Sequence, residues 1–440
     1  MKAAMKSGPL PFLAAACSVL GAAAGAGASP VDDRVAELED RIHRLTDEVQ
    51  QLRADGNGHA ESRAEAVRGL IHDVLADADA RASLLQDAAN AGHDGSFYLR
   101  STDGNYRMNI AGRIQGRYLY NRLDNAEGRD GNRTGFEVRR TRLDFSGNVF
   151  SPDWSYKIQG DFSRSGGGFR LLDAQIGYRF NDNLSIRAGQ FRQPFLREDS
   201  MSSGRQLAVE RSLVNAAFGQ GRTQGVELST STDQFRLSGT FSEGFGGNNT
   251  AALDRTTEFA FTGRAEWLVD GTWGQFRDFS GWVDDGFGLL IGAAAHYQAD
   301  EYGQPGIDKE KTVRWTVDAS AEFGGANVFA ALVGNHLDEA GLDQFGVVVQ
   351  GGFFIVPDEW ELFARYAWGD DDMAATDDLS VATVGVNRFF NGHNLKWTTD
   401  VGYGFNEVAS TWSSGGAGWR TDDPGEDGQL VLRTQFQLAF

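Results

Sequence analysis

Basic side chains recur at every second position along several segments in the first half of this 440-residue chain. Arg107, Arg113 and Arg117 share one parity. Arg140 and Arg142 share another. Because alternate residues of a β-strand point to the same face, each segment would hold its arginines on one surface. The forked guanidinium group suits phosphate and carboxylate oxygens, so arginines held on one face have the chemistry to contact anions.

Further basic candidates come from later segments and from one long connection. Lys157 and Arg187 fall on the polar parity of their own segments by the same count. The connection from Arg192 to Gln224 adds five arginines: Arg192, Arg197, Arg205, Arg211 and Arg222. The candidate anion contacts are Arg107, Arg113, Arg117, Arg140, Arg142, Lys157, Arg187, Arg197, Arg205 and Arg211.

These cations have an alternative, structural role. Acidic partners are available at Asp144, Asp161 and Asp173 on the polar parities. An inward arginine that pairs with an inward aspartate stiffens a wall and contacts no solute. The sequence leaves both roles open for each single arginine.

The charge is unevenly distributed along the chain. Residues 98–225 hold 20 basic and 13 acidic residues, whereas residues 226–440 hold 12 basic and 33 acidic residues. The net charge of the whole chain is −20, which argues against a nucleic-acid partner. The segment that carries the candidate contacts is therefore basic within an acidic protein.

The sequence offers no pattern for catalysis or for a metal. A single cysteine, Cys17, excludes a disulfide framework and a cysteine-based metal site. The seven histidines are scattered without ligand spacing, and no nucleophile elbow is present. The acidic stretches GDDDMAATDD and TDDPGED lack a calcium-loop pattern and favour solvated loops. We expect no enzyme, no metal and no cofactor.

The N-terminal residues predict an exported chain. Lys2 and Lys6 precede a short apolar stretch, and Ala26-Gly27-Ala28 is a cleavage pattern, so residues 1–28 are expected to be a signal peptide. Lipid attachment at Cys17 is the alternative.

In residues 29–95, apolar positions alternate by four and three from Val31 to Leu52, which predicts a coiled coil. A second helix is expected after it, and the whole segment is expected to be periplasmic. A flexible spacer is the alternative for this segment.

From Phe97 the apolar period changes to two. Strands are expected near residues 106–121, 136–149, 154–163, 171–180, 184–191, 224–230, 235–242, 258–268, 287–298, 312–323, 326–336, 343–354, 359–368, 379–390, 393–405 and 427–440. Tight and long connections alternate, and the strand number is even, which is typical of an outer-membrane barrel. Val269–Gly288 breaks this rule, and two more strands within it would give eighteen.

The last residues, LVLRTQFQLAF, alternate strictly between apolar and polar side chains. In hydrocarbon every backbone polar group needs a partner, so a spanning sheet must close. We therefore expect residues 427–440 to pair with the first strand, near Ile114.

Several motifs together resemble one family of bacterial outer-membrane proteins. They are RRTRLDFSGNVFSPDWSYKIQGDFS, LLDAQIGYRF, IRAGQFRQPFLRED, AVERSLVNAAF, ELFARYAWGDD and TVGVNRFFNGHNLKWTTDVGYGF. This set, in this order over residues 96–440, resembles the phosphate-selective porins O and P. The resemblance implies a trimeric barrel of sixteen strands, with the Arg192–Gln224 connection folded into the lumen, and selection of anions by lumenal arginines and lysines. The connection contains no lysine and carries Glu198, Asp199 and Glu210 among its arginines, which departs from a tight phosphate site.

We thus expect an all-β transmembrane barrel of about 16 antiparallel strands with an N-terminal helical extension. The expected function is that of an outer-membrane porin through which small hydrophilic solutes diffuse, with a mild preference for anions, phosphate among them. The expected partners are outer-membrane lipids and lipopolysaccharide, two further copies in a homotrimer, and the barrel-assembly machinery, which would read the strand ending at Phe440. The alternative is a tether between the outer membrane and the cell wall, in which the coiled coil matters and the pore is secondary.

Overall fold

The structure, a computed structural model, describes residues 30–54, 69–73, 90–124, 128, 130–300 and 309–440. The chain divides into two compact units, Met1–Ala88 and Ala89–Phe440. The predicted signal peptide, residues 1–28, and its alternative at Cys17 lie outside the described residues.

The described part of the first unit is helical. Helix α1 (Pro30–Ala54) has 25 residues and covers the predicted heptads. Leu38 and Leu45 on its apolar stripe are partly exposed, and Ile42 is 55% exposed. A helix gains most of its stability when such a stripe packs against a partner. The structure is of one chain and does not test a coiled coil between chains, which stays a prediction. None of the helices among the described residues is long and apolar enough to cross a bilayer.

The second unit is built from antiparallel strands. They are β1 (Ala91–His93), β2 (Phe97–Arg100), β3 (Arg107–Arg122), β4 (Asn132–Asn148), β5 (Trp154–Phe162), β6 (Phe169–Arg179), β7 (Leu184–Arg192), β8 (Arg222–Ser231), β9 (Phe235–Ser242), β10 (Phe259–Asp270), β11 (Phe287–Asp300), β12 (Glu310–Phe323), β13 (Ala326–Leu337), β14 (Leu342–Val356), β15 (Trp360–Asp370), β16 (Leu379–Asn391), β17 (Leu395–Gly404) and β18 (Leu430–Ala439). Its short helices are α2 (Arg197–Ser200) and α3 (Leu213–Phe218), with 3₁₀ turns at Ala252–Asp254, Gln275–Arg277 and Val283–Asp285. From β3 onward each strand pairs with the next, and β18 pairs with β3, which closes a barrel of 16 strands. The predicted fold class is confirmed.

The seam between β18 and β3 is completed by the hairpin β1–β2. β18 pairs with β3 down to Ala439, and Phe440 then exchanges two backbone hydrogen bonds of 2.9 and 3.0 Å with Gly112. Beyond this point β2 takes over the same edge of β3, starting at Phe97↔Ile110. The hairpin therefore pairs the backbone groups of β3 that β18 does not reach. It includes residues 91–93, within the segment that the sequence suggested to be helical.

The two faces of the wall differ as the alternation predicts. On β18, Arg433 and Gln435 point inward and are buried, whereas Phe436 and Leu438 point outward and are about half exposed. Outward aromatic side chains cluster near both rims. Phe235 stacks on Trp267 at the end that carries the short turns, and Phe241 packs on Phe261 at the end that carries the long loops. Such girdles mark the two interfaces of a membrane-spanning barrel.

Residues 271–286, here called turn T4, form the one long connection at the short-turn end. The expectation that two further strands lie here is wrong, because T4 folds into the lumen with two 3₁₀ turns. Phe276 is buried in a small apolar cluster, and the ring of Phe279 lies 4.9 Å from that of Phe329 on the inner wall. Aromatic side chains that pack inward explain why T4 is long without being a strand pair.

Two long loops fill one half of the lumen. Residues 193–221, loop L3, and residues 405–429, loop L8, share one apolar core with the inner wall of β11, β13 to β16 and β18. Its members include Phe218 of L3, Trp412 of L8 and Phe329 of β13. Each fully buried side chain of this size contributes about 2 kcal/mol. The sequence-based placement of L3 inside the barrel therefore holds, and its apolar face decides which half it fills.

A β-bulge changes the facing of one arginine. Arg140 pairs with Gln115, but the next residue of β3, Gly116, pairs with Val138, which leaves Arg139 as an extra residue. Strict alternation along β4 would place Arg139 on the outer face. The bulge instead directs both Arg139 and Arg140 into the lumen, where both side chains contact L3.

We expect Gly281→Ala to destabilise the barrel by about 2 kcal/mol or more, because a Cβ at Gly281 would lie 2.2 Å from the backbone oxygen of Ala326. Gly274→Ala in the same turn is the matched control, since its nearest neighbour there is the hydroxyl of Thr272 at 3.5 Å. Denaturant unfolding in detergent measures both. Equal stabilities would show that T4 does not pack against the wall.

Candidate functional site

Two adjacent cavities lie along the half of the lumen that L3 leaves free and are here together called the passage. Its first part, here called the vestibule, is a cavity of about 510 Å³ at the short-turn end and is lined by residues that include Gly95 and Phe440. Its second part, here called the basic chamber, has a volume of about 350 Å³. Both cavities are lined by Arg113, Arg142, Gln159, Ser200, Met201 and Ser202. The two cavities therefore meet between L3 and the inner wall of β3 to β5.

Two arginines and one serine mark this meeting point. Arg113 and Arg142 are direct cross-strand partners on β3 and β4. Their Nη1 atoms donate to the hydroxyl oxygen of Ser203 on L3, at 3.0 and 3.1 Å. Like charges directly opposite each other are unfavourable, and Ser203 brings no negative charge to offset them. Among the described residues Arg113 has no ion-pair partner, and Arg142 has only Asp161, at 3.6 Å.

The basic chamber is lined by seven cationic residues and one acidic residue. The cations are Arg113, Arg142, Lys157, Arg187, Arg192, Arg211 and Arg222, and the acid is Asp173. Asp173 accepts from Lys157, with 3.0 Å between the charged atoms, and also pairs with Arg222. Carboxylates outside the lining pair with Arg187 and Arg192. The chamber wall thus keeps an excess of positive charge after its ion pairs are counted.

Glu210 of L3 occupies a separate group of three arginines. Its carboxylate accepts from Arg117 Nη1 at 2.9 Å and from Arg139 Nε at 2.7 Å. Arg140 binds both oxygens, at 3.0 and 2.7 Å. Burial by itself would raise the pKa of the Glu210 carboxyl, but the three guanidinium groups outweigh it and hold that pKa below its ordinary value. The carboxylate therefore stays charged and anchors L3 on β3 and β4.

The remaining predicted residues divide between the passage and its scaffold. Arg205 is exposed and lines the vestibule. Arg211 donates to three backbone carbonyls of L3 and thereby shapes the loop. Arg197 donates to Ser320 Oγ at 2.8 Å and to a carbonyl of T4 at 2.9 Å, although it also borders the vestibule. Arg107 lies at the short-turn rim, with its guanidinium 4.6 Å from the ring of Tyr98.

The structure thus brings seven of the ten predicted residues to the lining of the passage: Arg113, Arg142, Lys157, Arg187, Arg197, Arg205 and Arg211. It places Arg117 and Arg140 with Glu210, and Arg107 outside both cavities. Sequence reasoning missed Ser203 and the inward Arg139. No group of three or more His, Cys, Asp or Glu side chains within the described residues could hold a metal ion.

Comparisons with known proteins agree with this architecture. The family described as phosphate-selective porin O and P matches residues 108–412. An uncharacterized protein of Aquifex aeolicus (strain VF5) is 23% identical over 313 residues, which cover 61% of this chain and 75% of that protein.

Two solved outer-membrane proteins share the fold. The anion-selective porin of Comamonas acidovorans is 14% identical, with a TM-score of 0.54, and the match covers 76% of this chain and 99% of that one. In-vitro folded OmpT of Vibrio cholerae, in its trimer form, is 12% identical, with a TM-score of 0.51 and the same coverage. At these identities the likeness concerns the fold alone. The family match extends from β3 to β17 and over the whole of L3, and the chain therefore belongs to the phosphate-selective porin O and P family and is a porin of the bacterial outer membrane.

Proposed function

We propose that this porin passes small hydrophilic solutes by diffusion and prefers anions. The observation that carries the proposal is the lining of the basic chamber, in which seven cations face one carboxylate. A cation that enters is repelled by this positive field, whereas an anion is attracted to it. Salt screens such a field over about 8 Å in bulk, but low-dielectric walls strengthen it inside the lumen.

Passage requires that an anion bind and leave easily. At the meeting point of the two cavities, Ser203 offers Arg113 and Arg142 only a neutral acceptor. A permeating oxyanion replaces that hydroxyl and gains charge-assisted hydrogen bonds, which are about twice as strong as neutral ones. When the anion leaves, the hydroxyl takes its place again. The guanidinium groups are then never without an acceptor, which favours fast exchange.

The ten candidate residues take different roles in this proposal. Arg113, Arg142, Lys157, Arg187 and Arg205 contact passing anions. L3 is held in position by Arg117, Arg140, Arg197 and Arg211, and Arg107 lies at the periplasmic rim.

Inorganic phosphate and small carboxylates fit the guanidinium groups equally well, and Lys157 is the one lysine of the chamber lining. We therefore propose small oxyanions as the solute class, phosphate among them.

The proposed assembly is a homotrimer in the outer membrane. A solved outer-membrane protein of similar fold is described as a trimer form, which supports this proposal. Outward side chains such as Phe136, which is 88% exposed, are proposed to contact lipid, with lipopolysaccharide in the outer leaflet. Export through the signal peptide of residues 1–28 and recognition of the strand ending at Phe440 by the barrel-assembly machinery are part of the same proposal.

Reversal potentials in a planar bilayer under a KCl gradient test the proposed selectivity. The wild type should favour chloride over potassium. Removal of one positive charge about 6 Å from the ion path raises the energy of an anion by about 0.7 kcal/mol in a water-like dielectric and lowers that of a cation by as much. Arg113→Ala and Arg142→Ala should therefore each lower the ratio of chloride to potassium permeability about tenfold.

Arg388→Ala is the matched control, because Arg388 lies outside the lumen, with its guanidinium 5.3 Å from the rings of Trp360 and Phe390. It should keep the wild-type ratio. Cation preference in the wild type would reject the proposal. Unchanged ratios in both lumenal variants would assign Arg113 and Arg142 to the structural role.

A second candidate function is a link to the cell wall. It is favoured by helix α1, which has 25 residues and belongs to a unit separate from the barrel. In this proposal the helix forms the coiled coil that reaches the wall, and the pore is secondary.

Deletion of residues 31–53 separates the two functions. If the helix is a tether, cells that carry the deletion should lose envelope integrity, measured as release of periplasmic enzymes, while single-channel conductance stays at the wild-type value. An intact envelope in these cells would reject the tether function. A loss of conductance would show that the helix is needed by the pore itself.

A further inference from the structure

The three arginines around Glu210 have the composition of an anion-binding site. Arg117, Arg139 and Arg140 aim four N–H groups at one carboxylate, and Oε1 alone accepts from all three side chains. Arg117 and Arg140 are 3% and 4% exposed, so water does little to solvate their charges. A buried cluster of like charges is stable only if an anion lies between its members.

The arginines are oriented by groups other than Glu210. Gln115 accepts from Arg140 at 2.9 Å, and Glu137 pairs with Arg117. The backbone oxygen of Gly416 in L8 accepts from Arg117 at 2.8 Å and from Arg139 at 3.0 Å. The β-bulge points Arg139 and Arg140 the same way. Strands and L8 therefore hold the donors in place independently of the loop residue that binds them.

The group around Glu210 differs from the meeting point of the two cavities in the ligand that its arginines bind. There, two arginines bind the neutral hydroxyl of Ser203, which a solute can replace. Here, three arginines bind a carboxylate that is covalently attached to L3 and 5% exposed. An anion from solution would have to displace a tethered ligand of the same charge, which has the advantage of a high effective concentration.

We propose that Arg117, Arg139 and Arg140 form a second oxyanion site of the lumen, sized for a small carboxylate, and that Glu210 is its built-in occupant. The tethered carboxylate keeps this cationic group of the lumen from trapping solutes. Permeating anions then meet only the weaker contacts that line the passage, such as Arg113 and Arg142. The binding part of this inference stands on its own, and its consequence for flux rests on the proposed function.

Removal of the occupant tests the site by chemical rescue. Glu210→Ala deletes the equivalent of one acetate ion and leaves the arginines in place. In detergent, the variant should unfold at a lower temperature than the wild type. Sodium acetate should raise this temperature by about 5 °C more than sodium chloride at equal ionic strength, because acetate binds the folded state alone. The wild type should respond equally to both salts.

Two control variants separate site binding from general salt effects. In Glu210→Gln the amide fills the same space, so acetate cannot enter and should act no better than chloride. Glu407→Ala removes a buried carboxylate of L8 whose partner is the backbone N–H of Gly425, and it too should show no acetate rescue. If Glu210→Ala does not fold in chloride, its refolding yield in acetate is measured instead. Equal effects of acetate and chloride on both quantities in Glu210→Ala would overturn the proposal.

The consequence for flux has its own readout. In a planar bilayer, Glu210→Ala should show a higher ratio of chloride to potassium permeability than the wild type, and acetate should return the ratio towards the wild-type value. If acetate restores the stability of Glu210→Ala but this ratio does not change, the anion site exists and plays no role in permeation. Failure of the anion preference in the wild type would instead reject the proposed function and leave the acetate result untouched.

Discussion

Every other feature of this porin depends on the closure of the sheet. A strand edge in hydrocarbon leaves peptide groups without partners, each at a cost of several kcal/mol, so the first and last spanning strands must meet. The pairing of β18 with β3, extended by Phe440 on Gly112 and then by the hairpin β1–β2, fulfils this requirement along the whole seam. Closure also determines the direction of each side chain, because alternate residues of every strand then point into the lumen and the residues between them point to the lipid.

The lumen is divided by the chemistry of its own wall. Inward apolar residues on β13 to β16, such as Phe329 and Phe363, bind the apolar faces of L3 and L8 and exclude water from that half. Most inward residues of β3 to β8 are charged or polar, and the passage remains there. L3 is held between the two halves, by apolar packing on one side and by Glu210 on the other. The same loop thus fills one half and lines the other.

Regular strands were predictable from the sequence because their period is simple. β9 was expected at residues 235–242 and spans Phe235–Ser242. The parts that escaped prediction depend on contacts distant in sequence or on local irregularity. Nothing in the residues around Arg139 announces a bulge, and T4 looks like a strand pair until its aromatic side chains meet the inner wall. Glu210 read as a residue that weakens an anion site, and only the fold shows that it is bound by three arginines and kept off the lining.

The central claim is that the open passage follows the basic wall and that the opposite half of the lumen is closed. Cysteine modification tests it most directly, since the sequence contains one cysteine, Cys17, outside the barrel. Ser202 is exposed and borders both cavities, whereas Thr383 points inward on β16 and is 2% exposed. A negatively charged methanethiosulfonate should reduce the current through Ser202→Cys and leave that through Thr383→Cys unchanged. Equal modification at Thr383→Cys, or an unchanged current in Ser202→Cys, would contradict the account.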